Sequence, residues 1–230
     1  MTESLRLSRR VHQLFECSRR EAELLIEGGW VMVDGVVVES PQSLVSEAQV
    51  ITLDPDASAD PVEPVTILLH KPAGQDVLTV QPSALLDTSS RSPEDRLHQR
   101  VLKKHFINLR PVLILETAAC GLQVFSQEPR ILRKLIEDAC KIEQEYIVEV
   151  SGAIAPNGLA TLNHSAAKVS WQNETRLRFA LKEPRPGQIA HMCASVGLQV
   201  LSIKRIRLGS RSMGPLLPGQ WRYLPAYEKF

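Results

Sequence analysis

The chain has 230 residues, 43% hydrophobic and 23% charged, which bounds it to one large domain or two unequal ones of an ordinary globular protein. Its formal net charge of +1 requires any nucleic-acid surface to be local. The cysteines stand far apart with no Cys-x-x-Cys pair or histidine at zinc-ligand spacing, no apolar run reaches membrane length, and Met1 to Arg10 is too polar for a signal peptide; no metal site and no membrane association are expected, and free thiols point to a reducing cytoplasm.

In chain order, Ser8 to Glu16 is predicted as a short helix with Val11, Leu14 and Phe15 on one face, broken at Cys17. Ser18-Arg19-Arg20-Glu21 then has the form of a capping box, in which Ser18 accepts from the Glu21 backbone and the Glu21 side chain reaches back. The helix it opens runs to about Glu27, buries Ala22, Leu25 and Ile26, and stops at Gly28-Gly29. Trp30 to Val38 reads as a hairpin around Asp34-Gly35, a pair suited to a type I′ turn, and Gln49 to Leu53 as a further short strand. Positive charge gathers in the first twenty residues, where Arg6, Arg9, Arg10, Arg19 and Arg20 meet only Glu3 and Glu16. If the helices pack as a pair, these side chains converge on one phosphate track; the alternative is a solvated charged face.

The run from Leu7 through Cys17-Ser18-Arg19-Arg20-Glu21-Ala22 to Ile26 and Gly29, followed by Val31-Met32-Val33-Asp34-Gly35, resembles the S4 RNA-binding domain, a small clip for structured RNA. The resemblance implies RNA contacts for Arg9, Arg10, Arg19 and Arg20, with Arg6 beside them in the same basic stretch.

Asp54 to Pro64 is acidic and proline-rich, the composition of a hinge. Val65 to Leu69 is predicted as an apolar strand ended by His70-Lys71-Pro72-Ala73-Gly74, Ser83 to Arg100 as a surface loop, and His98 to Lys104 as a short helix. Pro111 to Leu115 reads as a buried strand that ends at Glu116; Gly121-Leu122 follows, and Leu122, Val124 and Phe125 resume the apolar pattern. A carboxylate at the end of a strand in a rigid core is well placed for chemistry, and its bland alternative is a solvent-facing Glu.

A helix is expected from Pro129 to Ile142 with Ile131, Leu132, Leu135 and Ile136 inward, then a strand from Tyr146 to Val150 with Tyr146, Val148 and Val150 on one face. Strands from Lys168 to Trp171 and Arg176 to Leu181, a helix from Gln188 to Ser195 and a strand from Gly197 to Leu208 complete the pattern. Strands outnumber helices, so the fold class expected is α+β: a small S4-like domain over 1–54, a linker over 55–64, and a mostly antiparallel domain over 65–230.

The order of segments in that second domain resembles the RsuA/RluF family of pseudouridine synthases, which isomerise uridine in structured RNA without a cofactor or metal. Leu68-Leu69-His70-Lys71-Pro72-Ala73-Gly74 resembles the family's Asn-Lys-Pro-x-Gly segment, and Leu115-Glu116 through Gly121-Leu122 its central Gly-Arg-Leu-Asp-x-x-(Ser/Thr)-x-Gly-Leu motif. Glu143-Gln144-Glu145-Tyr146-Ile147-Val148 resembles Glu-Lys-x-Tyr-x-Val, Gln188-Ile189 with Met192-Cys193 resembles Gln-Ile-Arg-Arg-Met-Cys, and Leu217-Pro218-Gly219-Gln220-Trp221-Arg222 resembles the closing Leu-x-x-Gly-Glu-Trp-Arg. The resemblance implies a pseudouridine-synthase-type fold, no cofactor, a nucleophile at Glu116 and a base-stacking ring at Tyr146.

The departures cluster. The family's nucleophilic Asp falls on Glu116, its neighbouring Arg on Ile114, its Lys before the Tyr on Gln144, and Asn-Arg-Gln-Ile-Arg-Arg-Met becomes Pro186-Gly187-Gln188-Ile189-Ala190-His191-Met192. An added methylene moves a carboxylate by roughly an ångström, which can cost on the order of a hundredfold in rate. Ile114 and Gln144 supply no charge beside it. Two readings follow: a pseudoenzyme that binds structured RNA, and an active synthase on ribosomal or transfer RNA with Glu116 as nucleophile. A protein scaffold that has left RNA is a third.

The last strand carries Lys204, Arg205, Arg207 and, beyond it, Arg211. Alternation puts Arg205, Arg207 and Arg211 on one face and Lys204 on the other, with an exposed cationic edge as the bland alternative. The resemblance sets Arg205 near the pocket and the others along an RNA groove, and adds Lys71 to the RNA-contacting candidates. The partner expected is ribosomal RNA or a pre-ribosomal particle, bound by a monomer through two basic patches on either side of a hinge.

Overall fold

The computed structural model describes residues 4–97, 99–164 and 167–230. Two compact units divide the chain: the described residues of Met1–Pro64 and His98–Ile107 form the first, and those of Val65–Leu97 and Asn108–Phe230 the second.

The first unit contains β1 (Ser4–Arg6), α1 (Leu7–Leu14), α2 (Arg19–Glu27), β2 (Val31–Val33), β3 (Val36–Val37), β4 (Leu44–Ser46) and β5 (Ile51–Leu53). The capping box opens α2: Glu21 N donates to Ser18 Oγ at 3.1 Å, and Ser18 N donates to Glu21 Oε2 at 2.7 Å. The helices bury Leu7, Val11, Ala22, Leu25 and Ile26 against Val31 and Val33. β2 is central, with β3 and β5 antiparallel on either side. The β2–β3 turn has φ 50° at Asp34 and 80° at Gly35, as a type I′ turn requires. The Asp34 carboxylate then accepts from Val50 N at 2.9 Å, fastening the hairpin to the approach of β5.

Two features of this unit differ from expectation. β1 pairs with β4 in a short two-stranded sheet, too brief to leave a periodic signal. The segment after position 98 forms a 3₁₀ turn at Lys103–Phe106 instead of a helix over 98–104, and it packs in the first unit; His98 itself lies outside the described residues. Arg100 anchors the segment by donating to the Gly29 carbonyl at 2.7 Å and lying 4.2 Å from the Trp30 ring centre. Ala57 and Ala59, in the stretch read as a hinge, are also packed partly against this core.

The second unit comprises β6 (Thr66–Lys71), α3 (Pro82–Leu85), β7 (Arg110–Val112), β8 (Cys120–Ser126), α4 (Pro129–Glu137), β9 (Glu143–Ser151), α5 (Gly158–His164), β10 (Lys168–Asn173), β11 (Arg176–Lys182), α6 (Gln188–Ser195), β12 (Gln199–Leu208), β13 (Arg211–Ser212) and β14 (Trp221–Tyr223). They form a mostly antiparallel nine-stranded sheet in the order β10-β11-β9-β12-β8-β6-β14, with β7 on β8 and β13 on β12. β8 and β12 pair in parallel. Every residue of β6 is buried, which is why Ile67-Leu68-Leu69 runs apolar without alternation, and the burial extends to Thr66, His70 and Lys71 at its ends. One apolar cluster joins Tyr146, Val148, Leu177, Phe179, Ile189 and Cys193; another joins Leu68, Val112, Leu122, Val124, Leu135 and Leu208.

Three expectations are corrected. β7 ends at Val112, because Leu113 takes φ 46° and turns the chain, so Glu116 stands in a loop and not at a strand end. α4 stops at Glu137 and continues as a 3₁₀ turn at Ala139–Lys141, which leaves Ile136 exposed. A register shift in β12 pairs Arg205 with Tyr146 but Arg207 with Glu145. Tyr146 and Glu145 are successive on β9, so Arg205 and Arg207 point to opposite faces of the sheet.

Candidate functional site

The site forms where β8 and β12 meet. Cys120 is in register with Lys204, and Gly121 with Arg205. A Cβ at Gly121 would lie 2.2 Å from the Arg205 carbonyl oxygen, and φ there is 108°, so only glycine permits this approach. The Gly-Leu pair of the central motif is therefore a packing requirement that brings the β7–β8 loop to the base of β12.

That loop is held from three sides. Gln123, fully buried on β8, accepts from Leu115 N at 2.9 Å and donates to the carbonyls of Val112 at 3.0 Å and Val124 at 2.9 Å. Gly74 N donates to the Thr117 carbonyl at 2.7 Å. Lys71 Nζ donates to the same carbonyl at 3.1 Å, and to those of Pro72 at 3.0 Å and Gln75 at 2.9 Å. Burial pushes the Lys71 ammonium below its ordinary pKa. Lys71 is 0% exposed, so it is a fastener of the loop and presents no charge to RNA.

On the loop, Glu116 is half-buried, and its Oε1 accepts from Gly187 N at 3.1 Å. Gly187 is the residue that opens α6, in the left-handed conformation with φ 75°, and brings no side-chain cap of its own. Glu116 thus serves the start of α6 as a capping carboxylate supplied from another element. Among the described residues no cation lies within ion-pair distance of Glu116, and Ile114, two residues before it, is exposed.

Beside it, Tyr146 is 4% exposed and donates from its hydroxyl to Gln144 Oε1 at 2.8 Å. Arg205 Nη1 donates to the same oxygen at 3.1 Å, and Arg205 Nε to the Leu122 carbonyl at 2.7 Å. Burial pushes the Tyr146 phenol above its ordinary pKa; the Arg205 charge opposes the shift and the Glu116 charge adds to it. Arg205 is 1% exposed, and burial lowers its pKa too, though a guanidinium stays charged. Tyr146 and Arg205 are therefore brought together, with Gln144 as the neutral acceptor that locks the ring to the guanidinium, and the Glu116 charge acts on the same ring.

The other C-terminal cations are not drawn into this site. Arg207 is bound by Glu143 at 2.7 Å and by Glu145. Arg211 is bound by Glu228 at 2.8 Å. Lys204 is half-buried in a groove with Ile147, Glu149 and Arg176. In the first unit, Arg6, Arg9 and Arg19 line one groove of about 540 Å³ and have no carboxylate within ion-pair distance among the described residues. Arg20 is paired with Glu23 at 3.5 Å, and Arg10 is half-buried. Gln123 went unrecognised in the sequence; its signal was a lone amide inside the apolar strand Leu122-Gln123-Val124-Phe125.

The fold is that of an S4-domain protein with a second unit of pseudouridine-synthase type. Residues 5–51 match the S4 domain family model. The chain is 28% identical to "Ribosomal small subunit pseudouridine synthase A" of Pseudomonas aeruginosa, over 97% of this chain and 98% of that protein. It is 25% identical to an "Uncharacterized RNA pseudouridine synthase" of Aquifex aeolicus over 97% of this chain and 94% of the relative, and 25% identical to "Dual-specificity RNA pseudouridine synthase RluF" of Salmonella typhi over 96% and 76%. A solved pseudouridylate synthase shares the fold, with a TM-score of 0.58, 18% identity and 96% of each chain covered. Over nearly its whole length the chain is therefore similar to RNA pseudouridine synthases, and it carries an S4 domain at its start. No helix among the described residues is long and apolar enough to cross a membrane, and no group of ligating side chains among them is arranged to hold a metal ion.

Proposed function

We propose that this protein binds structured RNA, in ribosomal RNA or a pre-ribosomal particle in the cytoplasm, and that its Glu116 pocket isomerises uridine weakly or not at all. The RNA-binding half of the reading is supported by the groove where Arg6, Arg9 and Arg19 converge; among the described residues its lining has one carboxylate, Glu23, which is paired with Arg20. One observation carries the catalytic half: the Glu116 carboxylate is engaged at the start of α6 by Gly187 N, while Tyr146 is sealed in the core with its hydroxyl on Gln144. An attacking carboxylate must be free and aimed at the sugar or base, and a stacking ring must offer a face. Here Glu116 must release α6, and a neighbour of Tyr146 must move, before either condition holds.

A second reading, an active synthase with Glu116 as nucleophile, is supported by the fastening of the Glu116 loop through Gln123, Gly74 and Lys71 and by the Glu116 charge acting on Tyr146. A pseudouridine map of ribosomal and transfer RNA from cells with and without the protein separates the two. Identical maps, with crosslinks to ribosomal RNA retained, support the binding function. Loss of the mark at one or a few uridines, abolished also by Glu116→Gln without loss of RNA affinity, establishes the synthase.

A further inference from the structure

We infer that the loop joining β11 to α6 is an RNA-backbone contact of the second unit, with Lys182 and Arg185 as its cations and His191 beside them. The inference rests on the RNA-binding reading above and names the side of the unit along which RNA runs.

The cations that stand out in the sequence lie on and after β12, and there they are already engaged. Arg205 is buried, Arg207 is held by Glu143 and Glu145, and Arg211 by Glu228. Engagement on one strand leaves a vacancy on another. Lys182 is in register with Glu143 across β9 and β11, but Arg207 has taken that carboxylate at 2.7 Å. Among the described residues neither Lys182 nor Arg185 has an acidic partner within ion-pair distance. Lys182, Arg185 and His191 are exposed and line one open groove with Gly187. Glu183 shares the rim, so Lys182 and Arg185 together leave a surplus of one positive charge there.

The backbone that carries these side chains is ordered by its own hydrogen bonds. Arg185 N donates to Gln188 Oε1 at 2.9 Å, Gln188 N donates to the Arg185 carbonyl at 3.0 Å, and His191 N donates to that of Gly187 at 2.9 Å. Glu183 takes φ 41°, a left-handed conformation that a Glu rarely adopts and that the surrounding bonds must sustain. Cations on a loop ordered in advance lose less freedom when a phosphate binds. The groove also adjoins the candidate site, because the Gly187 N–H that lines it is the donor to Glu116. A strand running past Lys182 and Arg185 therefore passes beside the carboxylate.

The test uses the full chain and in vitro transcribed fragments tiling the small- and large-subunit ribosomal RNAs, with affinity measured across a salt series. Charge reversal at both positions, K182E with R185E, is expected to weaken binding by about tenfold or more and to lower the slope of log affinity on log salt by about two. The pair R9E with R19E, in the S4 groove, is the comparison, and an unchanged urea midpoint shows that each variant folds. If K182E/R185E leaves affinity and slope unchanged while R9E/R19E weakens binding, RNA runs elsewhere on the second unit: this inference is overturned and the RNA-binding reading stands. If the unaltered protein binds none of the fragments, both are overturned.

Discussion

Gly121 and Arg205 face each other across the parallel pairing of β8 and β12, so closely that a side chain on Gly121 would stand 2.2 Å from the Arg205 carbonyl oxygen. The obstruction is backbone, which cannot swing aside as the tip of a flexible side chain can. Gly121→Ala is expected to cost about 2–4 kcal/mol in urea unfolding. Gly35→Ala is the control, because Gly35 also has positive φ, at 80°, but nothing lies within 4 Å of its missing Cβ. It should cost about 1–2 kcal/mol, the conformational strain alone. Equal losses at the two glycines would refute the clash.

Gln123 is the second support of the Glu116 loop. Replacing it with Leu keeps the volume and removes the partners of Leu115 N and of the Val112 and Val124 carbonyls. A loss on the order of 3 kcal/mol is expected, since buried backbone groups are left unpaired. Hydrogen exchange at Leu115 should accelerate more than exchange in α5, which touches none of these bonds.

Glu145 links stability to acid. Its carboxylate lies below the ordinary pKa, chiefly through the hydrogen bond from Arg207, with burial opposing and Arg178 assisting. Between the folded value and the ordinary 4.5 the unfolded chain holds more protons than the folded one, so stability rises with pH through that window and is lost as pH falls through the folded value. Glu145→Gln should flatten this part of the acid limb and cost about 1–3 kcal/mol near neutrality. A limb identical to that of the unaltered protein would assign acid sensitivity elsewhere.

Glu116 decides the catalytic question. Shortening it to Asp withdraws the carboxylate from Gly187 N, which should loosen the start of α6. With Arg restored at Ile114, the double variant E116D/I114R should isomerise uridine in ribosomal RNA fragments about a hundredfold faster than the unaltered protein. Digestion of the treated RNA and quantitation of pseudouridine measures this. Equal, negligible product from both chains would place the defect beyond these two positions.

Local elements were legible because their causes are local. Ser18 and Glu21 cap α2 through bonds within one turn, Asp34-Gly35 makes a turn from its own backbone preferences, and α6 spans the predicted Gln188–Ser195. The breaks were less visible. Nothing in the run Pro111-Val112-Leu113-Ile114-Leu115 announces that Leu113 will turn with positive φ; that conformation is sustained by Gln123 and Lys71, which arrive from β8 and β6. The pairing of β1 with β4 joins segments separated by a long intervening stretch and leaves no periodic trace.

By itself the sequence determined the α+β class and the S4 domain, both of which depend on residue type and spacing along the chain. Only the tertiary structure decided which charges are available. Arg205 and Arg207 share a face by simple alternation, yet an irregularity in β12 sends one into the core and the other to Glu143 and Glu145. Lys71 is cationic by composition and buried by its place on β6. Charge is a property of a side chain, but whether it meets water, a carboxylate or a carbonyl depends on strands brought together from distant parts of the chain, and no local pattern encodes that.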